Sequence, residues 1–304
     1  MPRDGSHSAP TPHASAGIHF AIGGAIFGDL RPEHIALTAR LGFPGLEPYR
    51  SLTMHYLDRP AELKELLDQH GITMVTCSNG GPGQSTDFID AARRQQTIED
   101  HVTFARDFLH LFGCRHFKIN LGSRPPGGTT DEHLRAIAAT VEEIGRRTLS
   151  EYGIRIAAHP HIWGPVERPH EVHRLMELTD PRYVDLIVDT AQINLGGGDP
   201  LEMIRTYYER LAALHWKDTR PEYRGYTGPT PTVEEHRRQI LYKDLGTGGV
   251  DLAGIWAFLQ ERGYQGWITL DLDPPRPAEG EGTVEEKILI NRRYLLDQLR
   301  VGTL

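Results

Sequence analysis

The chain has 304 residues, a formal net charge of −8 and a hydrophobic content of 38%. No apolar run approaches the roughly 18 to 20 residues needed to cross a bilayer, and the acidic balance gives no electrostatic reason to seek a nucleic acid. The two cysteines, Cys77 and Cys114, argue against a disulfide framework and read as small buried hydrophobes.

Residues 1–16, MPRDGSHSAPTPHASA, are polar and lack the apolar core of a secretory signal. They are predicted to form a disordered tail on a cytoplasmic protein, with residues 17–304 as a single domain. Within that domain short apolar strands alternate with stretches of helical period. The first strand falls at 18–22, and Pro32 then sits where a first helical turn tolerates a missing N–H. The second, at 45–47 in GFPGLEPYR, ends on Glu47, and Pro60 opens the next helix. The third, at 72–76, leads into a long loop at 77–88; the fourth, at 116–119 in HFKIN, carries Lys118 and leads into another at 120–130. The fifth, at 154–158, runs into His159 and His161 in AAHPHIWG. The sixth, at 185–189, ends on Asp189 in DLIVDT, before a helix start at Asp199–Pro200. The seventh, at 211–215, ends on His215 in LAALHWKD. A loop at 217–250 follows, with a short helix predicted at 232–241. Asp251 caps a helix whose Leu252, Ile255, Trp256 and Leu259 share one face. The eighth strand, at 266–271, ends on Asp271 in GWITLDLD, and Thr283 with Glu286 makes a capping box for the last helix.

Eight strand–helix alternations predict an α/β (β/α)8 barrel, a TIM barrel. In that fold the active site lies at the C-terminal ends of the strands. Glu47, His159, Asp189, His215 and Asp271 are therefore expected to converge, although they span most of the chain. Asp189 and His215 end neighbouring strands and offer an oxygen and a nitrogen to one metal. Asp271 is preferred to Asp273, which has the same parity but lies beyond the strand. Of His159 and His161, one is expected to be a ligand. Glu47, with a carboxyl raised by burial, is expected to act as acid or base, or to bind a substrate hydroxyl or Arg50. Lys118 is either a substrate anchor or half of an ion pair. Trp163 and Tyr49 are candidate pocket walls, and Lys217 and Arg220 candidate substrate contacts.

The stretches GFPGLEPYR, AAHPHIWGPVERPHE, LIVDTAQINLGGGDP, LHWKDTR and GYQGWITLDLDPP resemble the xylose isomerase-like sugar isomerases, epimerases and dehydratases. The likeness covers roughly residues 40–275 and is nearest to the inosose dehydratases, which make a diketo product from 2-keto-myo-inositol. It implies one divalent metal (manganese, cobalt, magnesium or zinc) held by His159, Asp189, His215 and Asp271. The sugar epimerases have glutamates where this chain has His159 and Asp271, and the usual DTGH reads DTAQ, so that Gln192 replaces a substrate-facing histidine. A histidine at the fifth strand fits the inosose-dehydratase side of the group.

The resemblance implies a metal-dependent lyase or isomerase of a keto-sugar or keto-cyclitol, working by α-proton loss to an enediolate. Glu47, His161 and Lys118 are its candidate proton carriers, and Gln192, Trp163, Lys217 and Arg220 its candidate substrate contacts. Alternatives are a ketose 3-epimerase or sugar isomerase, an enzyme on a larger sugar-bearing natural product, and a non-catalytic sugar-binding barrel. The expected partner is a small polyhydroxylated keto compound, with no nucleic acid or membrane; self-association stays open.

Overall fold

The computed structural model describes residues 17–304, and the expected tail at 1–16 lies outside the described residues. Among the described residues ten strands occur in the order β1 (Ile18–Gly23), β2 (Gly45–Glu47), β3 (Thr73–Met74), β4 (His116–Asn120), β5 (Arg155–His159), β6 (Val184–Asp189), β7 (Leu211–Trp216), β8 (Asp218–Thr219), β9 (Tyr242–Lys243) and β10 (Gly266–Leu270). Eight of them form one parallel sheet, in the order β3-β2-β1-β10-β7-β6-β5-β4. The other two, β8 and β9, make a small antiparallel pair inside the long loop expected after the seventh strand.

Ten α-helices accompany them among the described residues: α1 (Pro32–Arg40), α2 (Pro60–Gln69), α3 (Arg94–Asp107), α4 (Asp131–Tyr152), α5 (Pro169–Leu178), α6 (Thr190–Leu195), α7 (Pro200–Thr206), α8 (Val233–Arg238), α9 (Leu252–Glu261) and α10 (Val284–Arg293). Their starts follow the local signals: proline occupies the first turn of α1, α2, α5 and α7. Asp199 and Asp251 cap α7 and α9, and Thr283 with Glu286 closes a capping box on α10. The helix expected at 232–241 is shorter, Val233–Arg238, because Gln239 turns extended and the chain enters β9. Leu252, Ile255, Trp256 and Leu259 are buried as expected. No described helix is long and apolar enough to cross a membrane.

The sheet curls until β3 meets β4, and a side chain helps to close the seam. Thr76 Oγ1 donates to the His116 carbonyl at 2.8 Å and accepts from the Lys118 N–H at 3.1 Å. Beyond it the Asn79 N–H reaches the Lys118 carbonyl at 3.2 Å. The strand expected over 72–76 is consequently only two residues long, since Thr76 bridges through its hydroxyl rather than its backbone. Thr76→Val should leave a buried N–H and carbonyl unpaired, costing about 1–3 kcal/mol. Urea unfolding and faster amide exchange at Lys118 would show the loss, and Thr76→Ser should restore most of it.

Another irregularity lies between β6 and β7. Leu186 pairs with Leu211, but Ile187 pairs with Ala213, so Ala212 is an extra residue in β7. From there Asp189 stands opposite His215. On the other side of β6, the register of β4 with β5 sets Asn120 opposite His159. Inside the barrel, Ala157, Ile187 and Ala213 form a small apolar cluster with Ala212 and Trp267 against it. The indole needs Gly45: a Cβ there would lie 2.4 Å from Trp267 Cζ3.

Candidate metal centre and its surroundings

The strand ends bring His159, Asp189 and His215 together. Each offers one ligand atom, and these atoms lie within 4.8 Å of one another. His159 Nε2 is 3.8 Å and His215 Nδ1 3.7 Å from Asp189 Oδ2. All three atoms are buried and have no hydrogen-bond partner. Unpaired buried polar atoms are costly, and three of them facing one point are what a bound cation would satisfy. Two imidazole nitrogens and a carboxylate oxygen also form a suitable donor set for a first-row divalent metal.

The remaining atoms of these side chains are all engaged. Asp189 Oδ1 accepts the Ala191 and Gln192 N–H groups and so caps α6. His159 Nδ1 bonds Asn120 Oδ1 at 2.9 Å, and His215 Nε2 bonds Glu47 Oε1 at 2.8 Å. Their protonation differs accordingly. Burial lowers His159 to about 3 and keeps it neutral. Burial also opposes the charged form of His215, but the Glu47 carboxylate overrides it and raises this histidine to about 9. Asp271 stands at the edge of the trio, with Oδ2 3.8 Å from His215 Nδ1 and 3.6 Å from Lys217 Nζ. Its Oδ1 accepts from the Tyr49 hydroxyl at 3.3 Å. Asp273, the other carboxylate of that parity, instead pairs with Lys217 at 2.7 Å.

Several expected site residues are held differently. Glu47 does not have a raised carboxyl and does not meet Arg50, which bonds the Gly80 and Pro82 carbonyls. Its Oε1 binds Lys118 Nζ at 2.6 Å as well as His215, and its Oε2 accepts from Thr269 Oγ1 at 2.7 Å. Burial disfavours the charged carboxylate, yet His215 and Lys118 more than reverse this and hold it well below the usual range. Lys118 is 1% exposed and lies 4.4 Å from the centre of the Tyr49 ring, so the ion-pair reading is the one realised. Gln192 does not point a free amide at a substrate: its Oε1 accepts the Ile162 N–H and its Nε2 donates to the Tyr242 hydroxyl. Arg220 turns to Glu222, because its backbone N–H is tied to the Leu241 carbonyl beside the β8–β9 pair. Lys217 is buried between Asp271, Asp273 and the Tyr242 ring.

His161 and Trp163 do face a cavity. It measures about 250 Å³ and is lined by Tyr49, Asn120, His159, His161, Ile162 and Trp163 among others. His161 Nδ1 donates to the Ile162 carbonyl at 2.6 Å, so Nε2 is the ring nitrogen free to exchange a proton. Trp163 adopts a left-handed backbone, φ 65°, rare for a bulky residue. Its N–H donates to Glu167 Oε2, its carbonyl accepts from Arg124, and its indole N–H donates to the Pro231 carbonyl at 2.7 Å. The last bond ties this wall to the long loop after β7. Asp218 pins the same loop by accepting the N–H groups of Thr219, Gly246, Gly248 and Val250. A Cβ on Gly248 would meet the Thr219 carbonyl and the Asp218 carboxylate, which explains this glycine of LGTGG.

Sequence reasoning passed over Asn120 as a site residue. Period two from His116 and Lys118 marks it as inward-facing, and it touches both His159 and the cavity.

A parallel eight-stranded barrel with a His–Asp–His cluster at its strand ends defines the class of protein. A family model described as a xylose isomerase-like TIM barrel matches residues 35–292, and the chain belongs to that family. It is 30% identical over 205 residues to an inosose dehydratase of Lacticaseibacillus casei, covering 60% of this chain and 66% of that protein. The chain thus spans just under two thirds of the length of that relative. Against an inosose dehydratase of Geobacillus kaustophilus it is 28% identical over 257 residues, 77% of each. The fold is similar to that of the IOLI protein with a bound zinc atom, with a TM-score of 0.73, 16% identity, and coverage of 92% and 98%. It is also similar to the probable 3-DHS dehydratase AsbF of Bacillus anthracis, with a TM-score of 0.72, 12% identity, and coverage of 92% and 99%.

Proposed function

We propose that this protein is a divalent-metal-dependent dehydratase of a keto-cyclitol, of the inosose dehydratase kind. The observation that carries the reading is the convergence of three unpaired buried atoms, His159 Nε2, Asp189 Oδ2 and His215 Nδ1, at the edge of a cavity. These residues would hold the metal, with Asp271 as the fourth donor. The inosose dehydratase relatives and the zinc of the IOLI protein support the substrate class and the metal. A divalent cation there supplies Lewis acidity toward a substrate carbonyl.

The chain's own residues supply orientation and proton transfer. Tyr49, Ile162 and Trp163 wall the cavity and offer apolar surface to one face of a ring. His161 Nε2 takes the proton from the carbon beside the carbonyl. The electron pair of that C–H bond forms the new C=C bond as the neighbouring C–O bond breaks. His161 returns its proton to the departing hydroxyl, which leaves as water. Glu47 and Lys118 support His215 and Tyr49 and carry no proton in this scheme.

Purified protein should contain about one divalent metal per chain by elemental analysis and lose activity on chelation. With 2-keto-myo-inositol, mass spectrometry should show loss of one water, and His161→Gln should slow it with metal content unchanged. Exchange of the α-hydrogen in deuterated water without dehydration would redirect the reading to an epimerase or isomerase. Full activity in metal-free protein would sink it.

A further inference from the structure

We propose that Asn120 is a positioning residue that fixes the tautomer of His159, so that the Nε2 lone pair faces Asp189 and His215. The proposal rests on the metal reading above for its purpose, but the hydrogen-bond chain that carries it stands on its own.

That chain begins outside the barrel, at a fully buried histidine on α3. His101 Nδ1 lies 2.7 Å from the Thr97 carbonyl, which can only accept, so Nδ1 carries the proton and Nε2 is an acceptor. Facing that acceptor at 3.0 Å is Asn79 Nδ2, and an amide group there must be the NH2. Its second hydrogen goes to the Asn120 carbonyl at 3.0 Å, and Asn79 Oδ1 accepts the Asn120 N–H at 2.8 Å. Asn79 thereby grips the Asn120 backbone at both polar atoms. The register of β4 against β5 puts Asn120 directly beside His159. Asn120 Oδ1 then lies 2.9 Å from His159 Nδ1 and requires a hydrogen there. An imidazole with its proton on Nδ1 has its lone pair on Nε2, the atom that is buried, unpaired and 3.8 Å from Asp189 Oδ2.

The partner is an amide where the other histidine has a carboxylate. Glu47 holds His215 from the opposite ring nitrogen, Nε2, and leaves Nδ1 bare. The two histidines are thus presented through different nitrogens by partners of different charge. An amide orients the ring without adding a negative charge beside Asp189. Partners of this kind typically contribute about 10–100-fold to metal affinity.

The test has two arms. In metal-free protein labelled with 15N-histidine, long-range proton–nitrogen correlation should show His159 as the Nδ1–H tautomer, with the signal identified by its absence from His159→Gln. Cobalt(II) titration, followed by its visible absorption, should show Asn120→Leu binding about 10–100-fold more weakly and Asn120→Asp, which keeps the acceptor, within about threefold of the unaltered protein. An Nε2–H tautomer in the unaltered protein overturns the proposal, as does a folded Asn120→Leu protein with undiminished cobalt affinity. If the unaltered protein binds no cobalt at an Asp189-dependent site, the metal reading fails. The tautomer arm still decides whether Asn120 sets the ring.

Discussion

Asp189→Asn protein is expected to remain folded but to lose its metal and its turnover. The substitution separates two functions that one carboxylate combines. Oδ1 caps α6 through the N–H groups of Ala191 and Gln192, and an asparagine oxygen can accept both. Oδ2 is the unpaired atom facing His159 and His215, and there the amide presents an NH2 that repels a cation. Metal affinity and kcat should fall by more than about 100-fold, beyond the range typical for a residue that merely supports a ligand. Circular dichroism should be unchanged, because the cap is retained. Asp189→Ala removes both functions and should additionally lower the unfolding midpoint. An asparagine variant with undiminished metal content would show that Asp189 is a helix cap and nothing more.

Glu47→Gln is expected to be the most destabilising single change at the strand ends. The carboxylate compensates the buried Lys118 ammonium and with the same oxygen accepts from His215 Nε2. Glutamine keeps the volume and can still accept from Thr269, so the lost quantity is charge. Removing one partner of a buried ion pair typically costs about 3–5 kcal/mol, because the other charge stays buried and uncompensated. Urea unfolding should report a loss of that size. Adding Lys118→Met should recover part of it, since the stranded ammonium is then gone, and a double-mutant cycle isolates the pair. A loss below about 1 kcal/mol in Glu47→Gln alone would mean that Lys118 reaches water when its partner is neutral.

The barrel and the convergence of His159, Asp189 and His215 were legible in the sequence for one reason. Each of Asp189, His215 and His159 terminates an apolar run, and a fold with parallel strands collects such ends on one face. What surrounds them was not legible, because it depends on partners far apart in the chain. Glu47 meets Lys118, His215 and Thr269 across separations of 71, 168 and 222 residues. Spacing shows that a carboxylate is at a strand end; it does not show that three groups already occupy it. Arg220 and Gln192 were misplaced for a local reason. A two-residue ladder between β8 and β9 redirects the chain just after the seventh strand, and the Ile162 N–H and Tyr242 hydroxyl claim the Gln192 amide. Asn120 could have been found by extending strand parity one residue further.

The extra residue Ala212 uncouples the length of β7 from the chemistry at its end. Counted straight from Leu211 with Ala212 kept in the ladder, Asp189 would face Leu214, whose side chain packs in the main core. The irregularity at Ala212 takes the extra residue out of the ladder and so returns His215 to its place opposite Asp189. In a lineage of such barrels, deletion of that one codon would restore straight pairing and still set His215 opposite Asp189, so the strand can change length here without moving the side chains at its end.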